Sequence, residues 1–219
     1  NKIKNFPNKN ISKIFLSEPI LRNEIYKFKS NSSADNKNNE LSILVVGGSQ
    51  GAKFFDDEIS KIFFELSKNY KINLIQQVFD IEKKNKLANE YNKLNLKYEL
   101  FSYDDQIFSR FPNIDFAISR SGATIISELI YFNIPFLAIP FPHAKDNHQY
   151  INAKYFYEKE MCKIIKQDEF EVKKTINLLD GLITNRNELA LTKENMKKFS
   201  YKNTWNNVNE KLVGLINEN

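Results

Sequence analysis

Two short runs carry residue types suited to an anionic ligand. The first, Gly47-Gly48-Ser49-Gln50-Gly51-Ala52, follows an apolar stretch ending at Val46, and the second, Ser119-Arg120-Ser121-Gly122-Ala123-Thr124, follows another ending at Ile118. Glycines in such turns allow unusual backbone angles and close approach of a ligand. A helix that follows offers unpaired N–H groups and the positive end of its dipole, and a hydroxyl such as that of Ser49 can donate to a phosphate oxygen. Residues 47–51 also satisfy the G-x-S-x-G pattern of a hydrolase nucleophile elbow, with His143 or His148 as conceivable bases. In those hydrolases several strands and an oxyanion loop precede the serine. Here only a polar linker and a short segment do, and there is no HGGG-like stretch, so the order of elements favours a phosphate-holding turn. The first run lacks both G-x-G-x-x-G and the GK[ST] ending of a P-loop, so neither a dinucleotide site nor an NTPase is indicated.

Two turns facing one crevice suit a diphosphate. Glu128 lies about one helical turn beyond Thr124, where its carboxylate can accept two hydrogen bonds from a ribose diol. The competing reading is an ordinary solvated helix glutamate, although Ile125, Ile126, Leu129 and Ile130 around it suggest the edge of a core. A third loop gathers His143, Lys145, Asp146, Asn147, His148 and Gln149, the imidazole, carboxylate and amide groups that sugar hydroxyls require. Asp104-Asp105 is read as a helix cap rather than a metal pair, and His143, Asp146 and His148, with no cysteine nearby, make a poor metal set. Cys162 opens an apolar run and is expected to be buried and inert, Tyr155 and Phe156 to be core, and Lys193, Lys197 and Lys198 to form a solvated face.

The elements that would position these groups alternate regularly from residue 41 onward. Apolar runs at 41–46, 72–79, 98–103, 114–119, 135–140 and 162–166 predict six strands. Helical spacing predicts helices over 53–66, 81–94 and 147–159, one through 121–132, a short one opening at Asp104-Asp105, and a largely helical tail. Before residue 41 there is a possible strand at 12–17, a turn and short helix over 19–27, and the polar linker 30–40. Strands alternating with helices give an α/β fold: a Rossmann-like parallel sheet with helices on both faces. Such sheets bind ligands at the carboxyl ends of their strands, which places the glycine turns and the third loop in one row.

Composition sets bounds on these readings. The chain has 219 residues, 42% apolar and 13% aromatic, enough for a sizeable core. A single cysteine excludes a disulfide framework within the chain and suits a reducing compartment. Its most apolar stretch, 131–141, is interrupted by Pro135 and Pro140 and is shorter than the roughly 20 residues that span a bilayer. The net charge of +5 is spread over a Lys- and Asn-rich sequence, with no arginine run or basic-aromatic interleaving that would point to nucleic acid. The chain begins at Asn1 with neither methionine nor a signal pattern, and is expected to be a piece of a longer protein.

Three loops together, GGSQGA at 47–52, SRSGATIISE at 119–128 and PFPHAKDNHQYINA at 140–153, resemble the C-terminal, donor-binding half of the bacterial N-acetylglucosaminyltransferases of glycosyltransferase family 28. These are GT-B enzymes that convert lipid I to lipid II in peptidoglycan synthesis. The resemblance spans roughly residues 10–219. It implies a domain over 41–219 that binds UDP-N-acetylglucosamine, with residues 1–40 as interdomain segment and linker. It also implies inverting sugar transfer, without an essential metal or other cofactor, to an undecaprenyl-diphosphate-linked muramoyl-pentapeptide at the cytoplasmic face of the inner membrane.

Carried over residue by residue, the resemblance assigns Ser49 to the diphosphate, the Tyr103 backbone to uracil, and Ala123 and Thr124 to the helix start facing phosphate and sugar. It assigns Glu128 to the ribose hydroxyls, and His148 and Gln149 to those of the sugar. Arg22 matches an arginine of the family, but the segment Glu18-Pro19-Ile20-Leu21-Arg22 is one residue longer than the family's Asn-Pro-Val-Arg. Ile125 replaces a threonine common in the family, removing a hydroxyl. The family's N-terminal half, with the presumed catalytic base, the acceptor site and an anionic-membrane surface, has no counterpart here, so this chain alone is expected to bind donor and catalyse little. A free-standing donor-binding subunit of another lipid-linked transferase and a catalytically silent sugar-nucleotide module are the alternatives.

Overall fold

The computed structural model describes residues 21–28, 40–48, 52–94, 96–199 and 205–217. Six strands form one parallel sheet: β1 (Glu40–Val46), β2 (Lys71–Gln77), β3 (Leu96–Phe101), β4 (Phe116–Ser119), β5 (Phe136–Ala138) and β6 (Cys162–Ile164). Their order in space is β3-β2-β1-β4-β5-β6, and every neighbouring pair runs parallel. All six predicted strands are present, with β5 and β6 shorter than the apolar runs that announced them.

Period-two alternation divides each strand between two cores. On one face Leu41, Ile43 and Val45 of β1, Phe116 and Ile118 of β4, and Leu137 of β5 pack with Phe55, Ile59, Ile62, Phe63, Leu66 and Leu179. On the other face Leu44, Ala117, Phe136 and Ala138 pack with Phe111, Ile126, Leu129, Ile130 and Phe156. Near-continuous apolar strands are what burial of both faces demands, which is why these runs do not alternate with polar residues. Leu21 and Ile25, the latter in a 3-10 helix (Asn23–Lys27), are buried in the second of these cores.

The helices are α1 (Ala52–Phe54), α2 (Ser60–Leu66), α3 (Ile81–Tyr91), α4 (Ala123–Tyr131), α5 (His148–Tyr157), α6 (Val172–Thr184), α7 (Arg186–Lys198) and α8 (Trp205–Asn217). The helix expected over 53–66 is interrupted by a π-helical turn, Phe55–Ile59, which joins α1 to α2. Phe55, Asp56 and Ile59 all point inward there, so the widened turn places a carboxyl inside an otherwise apolar stripe. The helix expected at Asp104-Asp105 starts later, as a 3-10 helix over Ile107–Asn113. Asp104 instead accepts from the Gln106 N–H (2.9 Å) and pairs with Arg110 (3.0 Å), forming an Asx turn before the helix. Asp80 caps α3 by accepting from the Lys83 N–H at 2.8 Å. The expectations for a strand at 12–17, for Glu18-Pro19-Ile20, for the linker up to residue 39 and for Ser49-Gln50-Gly51 lie outside the described residues.

Candidate functional site

The strand order reverses at β1: its connection to β2 leads one way across the sheet, and β4 lies on the other side. A crevice at the carboxyl end follows from that topology. The Arg120 N–H donates to the Val46 carbonyl at 3.1 Å, which ties the ends of β1 and β4 together at its base. The cleft above measures about 660 Å³ and has Gly47, Gly48, Tyr103, Arg120, Gly122, Ala123, Thr124 and Gln149 in its walls. The two glycine turns picked out in the sequence thus face one space.

Each turn is built for open backbone. Gly48 has φ +63°, where a side chain would be strained although nothing crowds it, so the glycine is required by conformation rather than by space. Its N–H donates to Gln77 Oε1 (3.0 Å), and Gln77 Nε2 donates to the Ser102 carbonyl (3.3 Å). One side chain at the end of β2 therefore fastens the loop after β1 to the loop after β3. Gly122 precedes α4 in an extended conformation and supplies no side-chain cap. The first intrahelical bond runs from the Ile126 N–H to the Gly122 carbonyl (3.2 Å), so the N–H groups of the turn before it are available to a ligand. Ala123 and Thr124 are exposed at this helix start, and Ile125 also stands in the cleft wall.

Gln149 lies in the cleft wall with its carbonyl oxygen engaged: Oε1 accepts from the Ser121 N–H (3.2 Å) and the Phe141 N–H (3.0 Å). Those bonds fix which way the amide points and turn its NH2 group away from the backbone. His148 is exposed and outside the cleft wall. Its Nδ1 donates to the Lys145 carbonyl at 2.8 Å, which leaves Nε2 as the ring nitrogen open to a ligand. Tyr103 stands at the cleft edge, 78% exposed.

Glu128 is only 2% exposed, which rules out the solvated-glutamate reading. Arg22 Nε and Nη2 both reach Glu128 Oε1, at 3.0 and 2.8 Å, and Arg22 Nη1 donates to the Asp105 carbonyl at 2.6 Å. Arg22 is thus held to Glu128 and to the loop after β3, and its guanidinium lies over the Phe108 ring, 4.6 Å from its centroid. Burial pushes the Glu128 carboxyl above its usual range, while the charge and hydrogen bonding of Arg22 oppose the shift. Glu128 lies behind the cleft wall rather than in it, next to the loop that carries Tyr103.

Two residues that sequence reasoning left without a role stand at the site. Arg120, quoted only as part of a loop, is 6% exposed and lines the cleft. Asn152 donates through Nδ2 to the Ser121 carbonyl at 3.2 Å, one turn beyond Gln149. The signal for Arg120 was a full charge at the end of an apolar strand, where charged residues are rare. Among the described residues, buried polar atoms with no hydrogen-bond partner include Ser119 Oγ, Arg120 Nε and Ser121 Oγ, three consecutive residues under the cleft, and Asp56 Oδ1 in the π turn. Among the described residues there is no cluster of three or more His, Cys, Asp or Glu that could hold a metal, and no helix long and apolar enough to cross a membrane. Cys162 is buried and its thiol is pushed up to about 12 by burial, while Tyr155, expected in the core, is exposed.

Comparison with known proteins places this geometry. Residues 42–208 match the glycosyltransferase family 28 C-terminal domain. The UDP-N-acetylglucosamine–N-acetylmuramyl-(pentapeptide) pyrophosphoryl-undecaprenol N-acetylglucosamine transferase of Pelagibacter ubique is 40% identical over 220 residues, covering 100% of this chain and 60% of that protein. Its counterpart in Rickettsia felis is 33% identical over 204 residues, 90% of this chain and 56% of that protein. The crystal structure of Acinetobacter baumannii MurG superposes with a TM-score of 0.73 at 22% identity, over 98% of this chain and 59% of that one, a likeness of fold. The chain thus spans about 60% of the length of the curated relatives it matches.

Proposed function

The chain belongs to glycosyltransferase family 28 through the C-terminal domain at residues 42–208, and on that premise we propose that its cleft binds UDP-N-acetylglucosamine as sugar donor. The observation that carries this reading is that Gly47-Gly48 and Gly122-Ala123-Thr124 line one cleft at the switch point of the sheet. In this reading the donor domain spans 41–219, residues 1–40 are interdomain segment and linker, and the acceptor half lies elsewhere in a longer protein. That protein transfers N-acetylglucosamine to an undecaprenyl-diphosphate-linked muramoyl-pentapeptide at the cytoplasmic face of the inner membrane. Lys193, Lys197 and Lys198 on α7 would favour an anionic surface nearby.

Chemistry follows from where charge develops. Breaking the bond between the anomeric carbon and the diphosphate loads negative charge onto the leaving group. Donors fixed in advance, such as the free N–H groups opening α4 and the Thr124 hydroxyl, gain most from that charge and so lower the barrier, and the Ser49 hydroxyl is assigned to the same diphosphate. The Tyr103 backbone borders the uracil, and Oε2 of Glu128, held in place by Arg22, accepts from the ribose diol. The Gln149 amide and His148 Nε2 address the sugar hydroxyls.

Calorimetric titration with UDP-N-acetylglucosamine, UDP-glucose and UDP tests the proposal. Binding of all three, tightest for the N-acetylated sugar nucleotide, is expected. Failure to bind UDP would refute it.

A further inference from the structure

Arg120 holds more charge than its neighbours neutralise. Nη1 donates to the Ile139 and Pro140 carbonyls, both at 3.1 Å, and Nη2 donates to Gln167 Oε1 at 2.6 Å, while Nε is buried without a partner. The rings of Phe54, Phe55 and Phe141 surround the guanidinium with centroids 5.5, 5.0 and 5.4 Å from its carbon. Among the described residues no carboxylate pairs with it. Carbonyls, an amide and ring faces solvate a cation in part, but a dehydrated charge is fully offset only by an opposite charge. Burial lowers its pKa to about 10, so it stays protonated at neutral pH. It stands in the wall of the cleft between the two glycine turns, where an anionic ligand can approach it.

Its position is also a hub. Arg120 follows β4, its acceptors lie at the end of β5 and after β6, and two of its three rings sit on α1 and in the π turn. The loop it grips, after β5, leads into α5, whose second residue is Gln149.

We infer that Arg120 is a positioning residue for the donor's diphosphate: it locks the loop after β5 against the end of β4 and keeps an unpaired positive charge beneath the two phosphates. This deepens the proposed function and rests on its reading that the cleft takes a nucleoside diphosphate. A clamp with a purely structural role would affect uridine and UDP alike, whereas a counter-charge affects the ligand that carries phosphate.

The test titrates the chain and two variants with uridine and with UDP. Gln167→Glu is nearly isosteric, lies outside the cleft wall, and places a carboxylate where Nη2 now meets an amide, neutralising the guanidinium without removing it. It is expected to weaken UDP about fivefold or more and uridine by less than about twofold. Arg120→Gln keeps hydrogen-bonding capacity and removes the charge, with an expected loss for UDP of about tenfold or more and little change for uridine. If Arg120→Gln does not fold, as judged by circular dichroism, Gln167→Glu decides the matter alone. An unchanged ratio of UDP to uridine affinity in the folded variants overturns the inference. If the unmutated chain binds UDP no better than uridine, the diphosphate reading of the cleft itself fails, and this inference with it.

Discussion

One sheet carries a hollow at each end, and the two treat polar groups in opposite ways. The cavity at the amino ends of β4, β5 and β6, about 380 Å³, is bordered by Phe116, Pro135, Cys162, Lys163, Leu182 and Glu188. Its charged groups have partners within the protein: Lys163 pairs with Glu188 at 2.6 Å, and Glu160 accepts from Asn195 Nδ2 at 3.5 Å. Its thiol is buried and held in the neutral form. The cleft at the carboxyl ends is bordered by glycine backbone and an open helix start, and the strand end beneath it leaves Ser119 Oγ, Arg120 Nε and Ser121 Oγ without partners. Size does not separate a structural gap from a site here; unsatisfied polar groups do, because a fold keeps such groups dry only at a cost that a ligand can remove.

Substitutions at the two ends should therefore separate stability from binding. The largest effect belongs to the amino-end cavity. Leu182→Ala enlarges it and should lower unfolding stability by about 3 kcal/mol in urea titrations, while the folded fraction binds UDP as before. A matching loss of UDP affinity would break the distinction. Next, Glu128→Ala at the cleft end should weaken uridine nucleotides about thirtyfold, roughly 2 kcal/mol, by calorimetry, since it removes a charged acceptor and frees Arg22. Unchanged affinity would remove Glu128 from the site.

Asp56, buried in the π turn, sharpens the contrast through pH. Burial raises its pKa from 3.8 to about 6, opposed by Lys83 and reinforced by Asp57 and Asp80. Because the folded protein holds this proton more tightly than the unfolded chain, the stabilisation is fully present below about 3.8 and is lost as pH rises through about 6. Asp56→Asn resembles the protonated form at every pH, so it should raise stability at pH 8 by about 1 to 2 kcal/mol in urea titrations, with little change at pH 4. Equal changes at both pH values would contradict the assignment. The smallest effect is expected at Ser49. In the longer transferase proposed above, Ser49→Ala should slow turnover about fivefold, roughly 1 kcal/mol, and leave the melting temperature nearly unchanged. Normal turnover would cancel its assignment to the diphosphate.

How much of this was legible in the sequence depended on whether a signal was local. The six strands were, because runs such as Ile43 to Val46 are apolar on both faces and end at glycine. So were the two turns, because Gly48 marks a backbone conformation that side chains hinder and Gly122 leaves the start of α4 without a side chain over it. The pairing of Arg22 with Glu128 joins residues 106 apart in sequence, and no local pattern encodes it. The same holds for Gln77, which looks like one more polar residue in a strand until the sheet sets it between two loops. Asp56 was missed although helical spacing sets it one turn before Ile59 and two before Phe63, because a carboxylate beside an apolar stripe ordinarily reads as its solvated edge. His148 was chosen by motif, and the backbone turns it to the surface, where only its Nε2 remains to meet a sugar.

The most direct test of the cleft is a crystal of this chain soaked in UDP. The account predicts the diphosphate between Gly47-Gly48 and the start of α4, with the ribose toward Glu128 and the uracil at the Tyr103 backbone. Nucleotide bound anywhere else, including the cavity beside Cys162 and Leu182, would contradict it.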